Sequence, residues 1–216
     1  MTTLESKPTK QRRMKTEKAD VPGITRPMTY EEYMAQPEEM ARYDILDGWK
    51  VYRLYGEKQL PNPTRRHQQI QGNLYVAFRE YAQTTQRAKA ILAPCDVKIT
   101  RRPVRNRQPD LLMIGAERWA DNPPTNDPAP LDPAPELIVE IVSPSDKPAV
   151  LAAKIADYRS VDVREVWLVR QEQRTIERVL LSPDEIETSR AYGPGEQIHS
   201  RVFPDLTVAV DAVFAD

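Results

Sequence analysis

The chain has 216 residues, 40% of them apolar, which suffices for one domain of ordinary size with a real core and excludes a wholly disordered protein. Charged residues make up 29% and nearly cancel to a net charge of −1, so no global field draws the chain to nucleic acid or anionic lipid, and any such attraction must come from local patches. A single cysteine, Cys95, excludes an internal disulfide, and with only two histidines, His67 and His199, a structural zinc site is not expected.

The N-terminus is polar and lacks a signal-peptide core, and no apolar run approaches the ~20 residues that span a bilayer, so a cytoplasmic location without membrane contact is expected. Residues 1–25 carry Lys7, Lys10, Arg12, Arg13, Lys15 and Lys18 without apolar periodicity. They read as a flexible basic tail, either a solvated terminus or an arm that touches nucleic acid, ahead of a domain over residues 26–216. Thr29 offers a cap for a short helix with Glu31 and Glu32 in its first turn. Asp47-Gly48, between Tyr43-Asp44-Ile45-Leu46 and Trp49-Lys50-Val51-Tyr52, predicts an N-terminal β-hairpin. Thr64 caps a longer predicted helix to about residue 84, in which Ile70, Leu74, Phe78 and Tyr81 recur at helical spacing.

Strands are predicted over residues 91–100 and 108–114, joined by a basic turn containing Arg101, Arg102, Arg105 and Arg107. Proline-rich residues 115–135 form a long loop, a lid or a dimer contact. A strand over 136–142 follows, then Ser143-Pro144-Ser145-Asp146 as a helix cap, with Pro148 in the first turn and a helix to about residue 160. Residues 165–169 form another buried strand, and 175–181, 186–192 and the stretch near Phe203 suggest a closing antiparallel meander. The alternation of helix and strand argues an α/β core.

Two carboxylates stand where apolar residues are the rule. Glu140 lies inside Leu137-Ile138-Val139-Glu140-Ile141-Val142, a run apolar on both faces and therefore central in a sheet. Desolvating an ionised carboxylate there costs several kcal/mol unless a cation, a set of donors or a proton compensates. Asp110 opens Leu111-Leu112-Met113-Ile114 directly after Pro109. Two acids on neighbouring core strands can converge at one end of the sheet, where a divalent cation relieves both their repulsion and their desolvation; hard oxygen ligands point to Mg2+ or Mn2+. An arginine partner for each, or an edge position facing water, is the bland alternative.

Further candidates surround them. Leu151, Lys154 and Tyr158 fall on one side of the predicted helix, so Lys154 could position a water near a metal; otherwise it is a snorkelling surface lysine. His67 lies on the apolar stripe of its helix, as a core residue, a phosphate contact or a holder of a ligand carboxylate. Arg65 and Arg66 stand beside it at a helix N-terminus, which favours anions. Asp44 could join the metal site or pair with an arginine. The basic turn from Arg101 to Arg107 is a solvated loop or a DNA-facing patch.

The order of these residues resembles the PD-(D/E)XK nuclease superfamily, and more narrowly the Uma-type restriction endonuclease family of bacteria. The segments that carry the resemblance are Tyr43-Asp44-Ile45-Leu46-Asp47-Gly48, Arg66-His67-Gln68, Asp96-Val97, Gln108-Pro109-Asp110-Leu111-Leu112, and Pro135-Glu136-Leu137-Ile138-Val139-Glu140-Ile141-Val142-Ser143-Pro144-Ser145. Lys154, Tyr158 and Glu165-Val166-Trp167-Leu168-Val169 complete it, over about residues 28–180. The resemblance implies a restriction-endonuclease-like core, with a mixed central β-sheet flanked by helices and a β-rich C-terminal extension. It implies Mg2+ or Mn2+ held by Asp110, Glu140 and the carbonyl of Ile141, with Lys154, Asp110 and Glu140 catalytic and Asp44 and His67 in support. Val142 occupies the position two after the glutamate where the superfamily lysine usually stands, so Lys154 would replace it from the following helix. Asp44 and Trp49 stand where the family usually has glutamate.

The function expected is hydrolysis of nucleic-acid phosphodiesters, DNA before RNA, with Arg65, Arg66, Arg101, Arg102, Arg105 and Arg107 on the backbone phosphates and a homodimer as a natural way to cut two strands. The alternatives are a nuclease-fold module that binds nucleic acid or a protein without cutting, and, more remotely, a glycoside hydrolase that uses Asp110 and Glu140 as acid and base.

Overall fold

The computed structural model describes residues 26–36, 43–52, 54–55, 58–59, 64–122, 124, 129–143 and 146–216; the expected basic tail over residues 1–25 lies outside them. Helix α1 (Tyr30–Met34) starts in a capping box, in which the Thr29 hydroxyl accepts from the Glu32 amide while the Glu32 carboxylate accepts from the Thr29 amide. Strands β1 (Tyr43–Leu46) and β2 (Trp49–Tyr52) form the expected hairpin. Its turn residues Asp47 and Gly48 both have positive φ, 52° and 85°, the backbone demand that Asp-Gly meets. β3 (Leu54–Tyr55) and β4 (Lys58–Gln59) make a two-stranded ribbon.

Helix α2 (Arg65–Thr85) is capped by Thr64, and its stripe of Ile70, Leu74, Phe78 and Tyr81 is buried as the spacing predicts. The region expected as one strand over 91–100 is instead two, β5 (Ala88–Leu92) and β6 (Val97–Arg101). Pro94 has no N–H to give a ladder, and the chain leaves one sheet for another there. The basic stretch expected as a turn is largely strand: β7 (Val104–Arg107) pairs antiparallel with β6, leaving only Arg102-Pro103 to turn the chain. β8 (Leu111–Gly115) runs into a short helix, α3 (Ala116–Ala120), within the region expected as loop.

β9 (Leu137–Val142) and β10 (Glu165–Arg170) are parallel and joined by α4 (Pro148–Ser160). The cap expected from Ser143 to Asp146 is not used as such. Lys147 is the N-cap, without a side-chain bond, Pro148 occupies the first turn, and the Asp146 carboxylate accepts from the Ser143 amide; Pro144 and Ser145 lie outside the described residues. β11 (Thr175–Leu181) and β12 (Ile186–Tyr192) extend the sheet as the predicted meander. The stretch near Phe203 does not join it; Phe203 lies between β13 (Gln197–His199) and β14 (Thr207–Ala209), a separate ribbon followed by α5 (Val210–Val213).

The fold is mixed α/β. A six-stranded sheet of order β12-β11-β10-β9-β8-β5 carries the core, and a four-stranded sheet of order β2-β1-β7-β6 stands beside it. Period-2 alternation sends Leu111, Met113, Leu137, Val139 and Trp167 to the face covered by α2 and the C-terminal segment, where Phe78 meets Trp167 edge-to-face at 5.3 Å. Leu112, Ile114, Ile138, Val166 and Leu168 pack on the other face with Tyr158 and Leu151 of α4. Met28, Tyr33, Ile45 and Val104 form a smaller cluster under the second sheet. Among the described residues no helix is long and apolar enough to cross a membrane.

The hairpin turn seats against the entering chain, with the Met28 amide donating to the Gly48 carbonyl at 2.7 Å and a Cβ on Gly48 falling 2.7 Å from Pro27 Cβ. Gly48→Ala therefore adds a steric clash to a backbone conformation that alanine resists, and urea denaturation should show a loss of more than about 1 kcal/mol. An unchanged midpoint would contradict this packing.

Candidate functional site

The β8–β9 ladder brings Asp110 to Glu140. Leu111 pairs with Val139, and one residue earlier the Asp110 amide donates to the Val139 carbonyl at 3.2 Å. The Asp110 carboxylate then lies over the peptide that joins Glu140 to Ile141, its Oδ2 accepting the Ile141 N–H at 2.7 Å. Nε2 of His67, in the first turn of α2, is 3.3 Å from Oδ1. Gln71, one turn further along α2, donates its amide to the Asp110 carbonyl. Asp110 is fully buried, and His67 and Glu140 nearly so.

Glu140 takes the α4 side of the sheet by alternation with Val139 and Ile141. There Lys154 Nζ reaches Oε2 at 2.8 Å, and the Tyr158 hydroxyl donates to Oε1. Lys154 and Tyr158 are four residues apart on α4 and so present to one spot. The snorkelling alternative for Lys154 is set aside: the residue is buried and ion-paired. Of the compensators the sequence left open for Glu140, an internal cation and a hydroxyl donor are both present. Among their partners the two acids have a lysine, a tyrosine, a histidine and a backbone amide.

Sequence reasoning assigned no role to Tyr158 or Gln71. Gln71 was legible as the i+4 neighbour of His67, and Tyr158 as the i+4 neighbour of Lys154.

Asp44 takes the arginine alternative. Its Oδ2 accepts from Arg107 Nη1 at 3.0 Å and its Oδ1 from the Gln108 amide at 3.1 Å. Arg107 is 3% exposed and also holds Asp157 of α4, so its place on a DNA-facing patch is corrected: a guanidinium enclosed by two carboxylates has no surface to offer. Burial pulls its pKa down, but Asp44 and Asp157 outweigh this and leave it above the ordinary arginine value. Arg105, half-buried, bridges Asp47 and Asp157. Arg66 is tied to Asp216 and to the Phe214 carbonyl. Arg65, Arg101 and Arg102 are exposed, with Arg101 stacked 5.0 Å from the Tyr30 ring.

Beside this network Asp96 accepts from the Tyr33 hydroxyl at 2.6 Å and from the side-chain Nε2 of Gln108 at 3.1 Å. Burial raises its pKa against the lowering pull of those donors. Burial, with Asp96 adjacent, pushes the Cys95 thiol up to about 12, so it is not a nucleophile at neutral pH.

A divalent ion fits the donor chemistry at Asp110 and Glu140. Two carboxylates with a neighbouring backbone carbonyl are hard oxygen donors, the kind that hold Mg2+ or Mn2+ with water completing the shell. Among the described residues no group of three or more His, Cys, Asp and Glu is placed to hold a metal, so an ion here would rest on the acid pair and the backbone.

The site as built is a mixed α/β sheet with a buried acid pair and a lysine from the crossover helix on one of its acids. The chain belongs to the Uma2 family, described as "putative restriction endonuclease", which matches residues 30–211. Its fold is similar to the crystal structure of a "putative nuclease belonging to DUF820" from Anabaena variabilis ATCC 29413, with a TM-score of 0.66, 18% sequence identity, and coverage of 87% of this chain and 98% of that one. Comparison with curated proteins finds no match.

Removing one member of a buried ion pair leaves the other uncompensated. Lys154→Met should therefore cost about 3–5 kcal/mol in urea denaturation, and pairing it with Glu140→Leu should recover most of that loss. A single variant as stable as wild type would show that the pair is not formed.

Proposed function

We propose that this chain is a metal-dependent nuclease with a restriction-endonuclease-like core that hydrolyses phosphodiester bonds of nucleic acid, DNA in the first instance. The observation that carries the reading is Lys154 Nζ at 2.8 Å from Glu140, whose following peptide amide donates to Asp110. Two acids and a lysine are the chemical parts such a centre needs. The lysine comes from α4 because Val142 stands in its usual place. Family membership supports the same chemistry.

Asp110, Glu140 and the Ile141 carbonyl would hold Mg2+ or Mn2+. When bound, such an ion polarises a phosphate oxygen and lowers the pKa of water. The chain's own residues supply the rest. Lys154 brings a fixed positive charge beside Glu140, where it can orient a water and balance the charge that builds on the phosphate. Tyr158 holds the other Glu140 oxygen, so the carboxylate keeps one orientation. His67 and Gln71 hold Asp110 at its side chain and its carbonyl. The exposed Arg65, Arg101 and Arg102 are cations available for backbone phosphates, the contacts that dominate non-specific affinity.

The test is cleavage of supercoiled plasmid with and without Mg2+. Wild type should nick it only with the ion, and Asp110→Asn and Glu140→Ala should each lower the rate by on the order of 10²-fold or more. Equal cleavage by all three would point to a contaminant. Cleavage by none would favour the alternative, a module of the same fold that binds nucleic acid or a protein without cutting.

A further inference from the structure

Arg107 joins the two halves of the candidate site. Its Nη1 donates to Asp44 Oδ2 at 3.0 Å, and the other Asp44 oxygen accepts the amide of Gln108, two residues before Asp110. Its Nε and Nη2 reach Asp157 Oδ2 at 2.7 Å and 2.6 Å. Asp157 sits on α4 between Lys154 and Tyr158, the two residues that clamp Glu140. Arg105, two residues away on the same face of β7, grips the other Asp157 oxygen at 2.9 Å.

We infer that Arg107 and Asp157 are positioning residues: their buried ion pair sets the rotation of α4 against the chain entering Asp110, and so places Lys154 and Tyr158 on Glu140. Residues 154, 157 and 158 occupy one helix face, so a shift at Asp157 is felt at both neighbours. Arginine suits the task because its planar fork binds two carboxylates in different directions, which a lysine point charge does not reproduce. Buried ion pairs are poor sources of net stability, since desolvation offsets most of the attraction, whereas their directional hydrogen bonds fix geometry. The consequence for cleavage rests on the nuclease reading of Asp110 and Glu140; the placement of Lys154 does not.

The experiment therefore has an arm independent of cleavage. In protein labelled with 15N-lysine and held at low temperature, the ammonium of Lys154, buried and hydrogen-bonded to Glu140, should give a slowly exchanging signal, assigned by its loss in Lys154→Met. Asp157→Asn and Arg107→Lys should lose that signal while keeping the backbone spectrum of the folded protein. Asp47→Asn, which touches only the outer end of the network through Arg105, should keep it. In the cleavage arm, Asp157→Asn should lower kcat with little change in KM, by up to the order of 10²-fold that a small misplacement costs, and should have almost no further effect in a Lys154→Met background. A folded Asp157→Asn or Arg107→Lys that retains the Lys154 signal overturns the assignment, as does an Asp157→Asn penalty of equal size in both backgrounds. Failure of both variants to fold overturns it in favour of a folding role. A wild type that keeps the Lys154 signal but does not cleave refutes the nuclease reading and leaves the positioning role standing on the first arm.

Discussion

A carboxylate in the middle of a six-stranded sheet must be matched by charge or hydrogen bonds, and the arrangement around Glu140 follows from that requirement. Bulk solvent supplies little of the compensation, because Glu140 is buried and α4 packs on that face of the sheet. Lys154 and Tyr158 supply it instead, which requires α4 to cross at one rotation and one height. That in turn gives the Asp157 contacts a purpose: between Lys154 and Tyr158, on the same face of the helix, two arginines of the second sheet hold it. The small sheet, which contributes neither acid, is thereby part of the site's scaffold.

Other buried acids show what a purely structural carboxylate looks like here. Glu165 at the start of β10 accepts from the Trp167 indole, the Ser200 hydroxyl and the amides of Arg201 and Val202, tying the C-terminal segment to the sheet. Glu136 accepts from the Gly115 amide and pairs with Arg118 and Arg164. Both lie at the amino ends of the parallel strands β9 and β10 and hold loops in place. Glu140 and Asp110 sit toward the carboxyl end of β9, the end where open α/β sheets gather ligands. All four are buried, and position is what sets the proposed pair apart from the other two.

Local chemistry made much of the fold legible in the sequence. The Thr29 capping box, the Asp-Gly turn, the Thr64 cap and the α2 stripe each depend on residues a few positions apart, and the structure has them all. The failures are long-range. Nothing local says that the chain changes sheets at Pro94, that the Phe203 segment leaves the meander for its own ribbon, or that Arg105 and Arg107 find Asp157 some fifty residues away. A run of arginines therefore reads as a surface patch until the carboxylates that bury it are placed. For the candidate site, the acid pair stood out because charge inside an apolar run demands explanation, and Lys154 because helical spacing puts it on one side with Leu151 and Tyr158. Tyr158 escaped because an aromatic residue on a helix stripe has a sufficient role as core.

On the proposed function, the acid pair with its internal lysine would receive a divalent ion. A crystal soaked in Mn2+ tests this most directly through the anomalous signal of the metal. The account predicts a single strong peak shared by the carboxylates of Asp110 and Glu140 and absent from Asp110→Asn crystals. Bare density there at saturating Mn2+, with Lys154 still seated on Glu140, would contradict it.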